Sequence, residues 1–90
     1  MTRAEQRTTM MIFDLLHARA PGATICPSEV ARALEPAQWR PLLPLVRDVA
    51  RALALDGRLE LRQRGRQIAA GEGVRGPIRL ALPHNRQSSP

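Results

Sequence analysis

Lysine and tyrosine are absent from this chain of 90 residues, and cysteine, tryptophan and phenylalanine occur once each. Apart from two histidines, every positive side chain is therefore an arginine. The lone Cys26 rules out an internal disulfide and fits a reducing compartment. With only Trp39 and Phe13 as aromatics, the chain lacks the stacked rings on which single-strand binders lay successive bases. His17 and His84 are far apart and, with one cysteine, do not make a metal site. No apolar run approaches the roughly 18 residues of a membrane span, and residues 1–6 lead into an amphipathic pattern rather than an apolar signal segment, so no membrane association and a cytoplasmic location are expected.

Catalytic patterns are missing as well. The carboxylates are scattered, and Glu29 suits a helix cap better than acid–base work. Gly71, Gly73 and Gly76 do not lead from a strand into a helix, so they form no phosphate loop. Cys26 precedes a helix start, where a thiol can become reactive. No second cysteine or motif supports this, and a packing role is expected. The expectation is a protein that is not an enzyme and carries no metal or other cofactor.

What the chain has is arginine in one place. Residues 1–39 hold four arginines against four acids, net zero. Residues 40–66 hold seven arginines against three acids, net +4. Such asymmetry is the electrostatic footprint of a polyanion-binding surface, although solvated arginines alone would give the same count.

Hydrophobic spacing gives the order of elements. Ile12, Leu15 and Leu16, with Thr8 or Thr9, share one face of a first helix over about Ala4 to Arg19, closed by Ala20-Pro21-Gly22. Thr24-Ile25-Cys26 reads as a short strand. Pro27 opens a second helix, capped by Cys26 or Ser28, which buries Val30, Ala31 and Leu34 and stops at Glu35-Pro36. A third helix runs from about Pro41 or Pro44 to Asp56, with Leu42, Val46, Val49 and Leu53 in one stripe and Gly57 behind it. Arg40, Arg47 and Arg51 fall on the opposite side. Leu59 and Leu61 alternate with Arg58, Glu60 and Arg62, predicting a strand with one buried and one solvated face. Arg64-Gly65 is the turn, Gln67-Ile68 the return, and Ile78, Leu80 and Leu82 mark a further, edge-type strand. Ala69 to Arg75 reads as a flexible loop. The fold class is α+β, mainly α: a winged helix-turn-helix over residues 1–82, with residues 83–90 as a disordered tail.

Several stretches carry a resemblance. Ala20-Pro21-Gly22, the string from Thr24 to Arg32 (TICPSEVAR), Trp39-Arg40-Pro41-Leu42, Asp56-Gly57-Arg58-Leu59 and the strand Gly76-Pro77-Ile78-Arg79-Leu80 together resemble a family of small bacterial domains of unknown function. The resemblance covers roughly residues 10–82. It implies a winged-helix-like fold in a stand-alone bacterial protein, and no particular activity.

The arrangement points to double-stranded DNA as partner. A helix fits the major groove, where arginine pairs with guanine, and wing arginines reach phosphate or the minor groove. Arg47 and Arg51 lie on the recognition helix, Arg40 and the Ser28 end of the second helix meet the backbone, and Arg62, Arg64 and Arg66 belong to the wing. Asp48, beside the arginine stripe, repels phosphate unless it orients a neighbouring arginine. The alternative is a protein-interaction module that uses the same face or the turn at Trp39, itself expected to pack on the core. Monomer and homodimer are both open.

Overall fold

A computed structural model describes residues 2–71 and 75–83. Three helices, α1 (Arg3–His17), α2 (Pro27–Leu34) and α3 (Leu43–Leu55), lie with a four-stranded antiparallel sheet of β1 (Thr24–Ile25), β2 (Glu60–Gln63), β3 (Arg66–Ile68) and β4 (Arg79–Ala81). This is the mainly helical α+β arrangement expected from the sequence, compatible with a winged helix. No helix among the described residues is long and apolar enough to cross a membrane. The tail read over residues 83–90 lies, from His84 onward, outside the described residues, as does the middle of the loop read over Ala69–Arg75.

α1 starts on a capping box: Thr2 Oγ1 accepts the Glu5 N–H, and Glu5 accepts the Thr2 N–H. Its buried face holds Thr8, Thr9, Ile12 and Leu16. The two threonine hydroxyls stay satisfied by donating to the carbonyls one turn back, of Ala4 and Glu5. The helix stops at His17, before the Ala20-Pro21-Gly22 segment. Those residues make a separate turn closed by the Ala23 N–H on the Ala20 carbonyl, with Gly22 at φ +85°, the left-handed third position of a type II turn.

Cys26 is the N-cap residue of α2, and Glu29 reaches back to accept its backbone N–H at 2.8 Å while pairing with Arg19. Burial works to raise the Glu29 carboxyl, but the Cys26 N–H and the Arg19 guanidinium outweigh it and hold the group below its ordinary value. A depressed folded pKa adds stability that is present above the unfolded value and lost as pH falls through the folded one. Glu29→Ala is thus expected to cost about 1 kcal/mol near neutral pH, with the gap to the native chain closing in acid. Urea unfolding at neutral and acidic pH measures both.

A 3₁₀ turn, Arg40–Leu42, runs directly into α3, so Pro41 and Pro44 both sit in opening turns, where their missing N–H costs nothing. α3 ends with the Gly57 N–H on the Ala54 carbonyl and the Arg58 N–H on the Leu53 carbonyl. This paired closure needs the left-handed Gly57, at φ +78°.

The sheet departs from the expected hairpin wing in one respect. Its order is β1-β4-β2-β3, so the run read as an extra edge strand is an interior strand and the return strand β3 is the outer edge. Ile25, Leu80, Leu61 and Ile68 pair in one row across all four strands, giving the sheet an apolar face. It meets Ile12, Leu16, Val30, Val46, Val49 and Leu53 of the helices in one core. Trp39 packs against that core half-buried, as expected. The solvated face predicted for β2 is corrected: Glu60 is only 5% exposed and holds Arg62, itself half-buried, at 3.1 Å. Glu60 stands opposite Ala81 of β4 and is covered by Arg62, its neighbour on the same face of β2.

Candidate nucleic-acid interface

The buried face of α3, Val46, Val49, Ala50 and Leu53, turns Arg47 and Arg51 towards the outside, about 6 Å apart along the axis. Both are half-exposed. Arg51 makes no side-chain hydrogen bond or ion pair with a described residue, whereas Arg47 donates to the Gly76 carbonyl at 3.2 Å. That bond ties the helix to the segment leading into β4. Asp48 is exposed on the same helix and forms no ion pair among the described residues, so it does not orient either arginine.

Arg40, exposed in the 3₁₀ turn, lies over the Trp39 ring at 4.8 Å, and Arg32 of α2 lies over the same ring at 4.4 Å. Cation–π contact of this kind holds a guanidinium flat while its N–H edge stays available. Nothing in the local sequence around Arg32 marked it for this role. Only the fold of the α2–α3 corner brings it to Trp39.

At the wing, Gln63 pairs with Arg66 and leaves Arg64 and Gly65 as a two-residue turn. Both have positive φ, +54° and +80°, the type I′ pattern. An arginine in the left-handed region is uncommon and strained by roughly 1 kcal/mol. The turn holds Arg64 exposed at the tip, and Arg66 is exposed two residues later.

Two expected contact residues stand apart. Arg62 faces Arg79 directly across β2 and β4, a like-charge pair relieved on one side by Glu60 and on the other by Thr24, which accepts two hydrogen bonds from Arg79. Ser28, half-buried, has its hydroxyl 2.8 Å from the Cys26 thiol. Arg75 and Arg79 were missed: nothing local links the residues before β4 with the Arg64 turn. The fold does so, and Gln63 Nε2 fixes the approach by donating to the carbonyls of Arg75, at 2.6 Å, and Pro77, at 3.1 Å. No group of three or more candidate ligands that could hold a metal occurs among the described residues.

Residues 5–83 match the model of a family described as protein of unknown function, DUF3253. No curated protein matches the chain.

Proposed function

We propose that this chain, which belongs to the DUF3253 family, binds double-stranded DNA through α3 and the wing and performs no catalytic step. The hydrogen bond from Arg47 to the Gly76 carbonyl carries the proposal, because it joins the arginine row of the helix to the segment that Gln63 ties to the wing hairpin. Arg40, Arg47 and Arg51 would then act together with Arg64 and Arg66 of the wing.

An α-helix fits the major groove, and Arg51, with no described partner, is the side chain available for a base edge. Arg47 steadies the segment before β4 beside the helix. Arg40, steadied by Trp39, and the exposed Arg64 and Arg66 take backbone phosphates. In this role the protein works in a bacterial cytoplasm, as a monomer or a homodimer.

Fluorescence anisotropy of a labelled random duplex, titrated at low and near-physiological salt, tests it. Four to five phosphate contacts give a log–log slope of about −4, so a fourfold rise in salt costs roughly two to three orders of magnitude in affinity. Arg47→Ala plus Arg51→Ala is expected to lose most binding even at low salt. If the native chain does not bind at low salt, the DNA role fails and a protein partner at this face or at the Trp39 corner takes its place.

A further inference from the structure

A second arginine cluster lies beside the row on α3. The wing turn, the segment before β4 and the residue preceding α2 enclose a cleft of about 660 Å³. Arg64 lines it from the turn, Arg75 from the segment, Arg79 from β4 and Cys26 from the α2 side. No carboxylate among the described residues lines it. Glu29, in the first turn of α2, is engaged with Arg19 and the Cys26 N–H instead.

The walls are built and held. Gln63 spans the carbonyls of Arg75 and Pro77, and Arg47 holds that of Gly76 between them. Arg79 is fixed by Thr24, through Nε at 2.7 Å and Nη2 at 3.0 Å. Arg64 and Arg75 make no side-chain hydrogen bond or ion pair with a described residue. Three arginines from three segments thus line the cleft with no carboxylate among its described walls, and an anion bound there would offset the repulsion between them.

We propose that this cleft binds the diphosphate group of a small molecule. Guanidinium groups take phosphate oxygens in paired hydrogen bonds. Three of them suit the several negative charges of a diphosphate better than the single charge of one phosphodiester. The cleft is wider than a diphosphate alone, and its Pro77 and Ile78 wall gives the rest of the molecule an apolar surface. Arg64 is shared with the wing contact proposed above, but Arg75, Arg79 and the Pro77 wall do not depend on whether α3 binds DNA.

Pyrophosphate titrated into the isotope-labelled full chain, in phosphate-free buffer at near-physiological salt, tests it without DNA. The expected result is saturable one-site binding, with amide shifts centred on Gly65, Gly76 and Arg79, and slower alkylation of Cys26, the chain's only thiol. Arg64→Asn plus Arg75→Ala should weaken it by about tenfold or more, since asparagine accepts the left-handed turn and the fold is kept. Arg51→Ala, away from the cleft, should leave it unchanged. Non-saturating binding, shifts spread along α3, or equal affinity in the double variant would each overturn the proposal. So would a short duplex that shifts the Gly76 and Arg79 amides as pyrophosphate does, because the cleft would then be a seat for the DNA backbone.

Discussion

Leu80→Ala is expected to destabilise the protein by about 3 kcal/mol, the cost of a cavity at a site that cannot collapse. Leu80 is fully buried and stands in register between Ile25 and Leu61. Its loss removes packing against both flanking strands and against the helices at once. A domain of this size holds only roughly 5–13 kcal/mol in total, so the midpoint of urea unfolding should fall far. Leu55→Ala is the matched control: Leu55 is 67% exposed, and its truncation should change stability by about 0.5 kcal/mol or less. A chain ending after Ala70, which lacks β4, should show no cooperative transition. If Leu80→Ala unfolds at the same urea concentration as Leu55→Ala, β4 does not lie at the centre of the sheet.

The second large effect concerns salt. Arg64→Asn plus Arg66→Ala removes two exposed wing charges, and each phosphate contact contributes about −0.9 to the log–log slope of duplex affinity against salt. The double variant should therefore bind with a slope shallower by about 2. Its unfolding midpoint should not fall, because asparagine relieves the left-handed strain that arginine bears at position 64. Arg51→Ala should act differently. It should lose about 1–3 kcal/mol of discrimination between duplexes, with a slope change of no more than about one contact. An unchanged slope in the wing variant, with native affinity, would take the wing out of the interface.

The helices were legible because their signals are local. The stripe Val46, Val49 and Leu53, Pro27 at the first position of α2 and Gly57 behind α3 each act within one or two turns. The Arg64-Gly65 turn was legible for the same reason. The neighbours of β4 were not: alternation at Ile78, Leu80 and Leu82 shows that a strand exists, but pairing depends on partners far off in sequence, Leu61 on one side and Ile25 on the other for Leu80. The same limit hid the burial of Glu60, which stands opposite Ala81 of β4. In the candidate interface, the row Arg40, Arg47 and Arg51 could be read from helical spacing. The link from Arg47 to Gly76, the stacking of Arg32 on Trp39 and the gathering of Arg64, Arg75 and Arg79 could not, because each joins segments that only the tertiary fold brings together.

The position of β4 also bears on the order of events as the chain is made. Synthesis runs from the N-terminus, so all three helices and β2 are complete before Arg79–Ala81 is added. Until then Thr24–Ile25 has no β-partner and β2 has one open side, and unpaired strand edges of this kind invite association with other chains. The contacts that close the sheet are among the most distant in sequence that the fold contains, and pairings of that kind form slowly. Commitment to the native state therefore comes late, and the nascent domain is most exposed to misassembly just before β4 arrives.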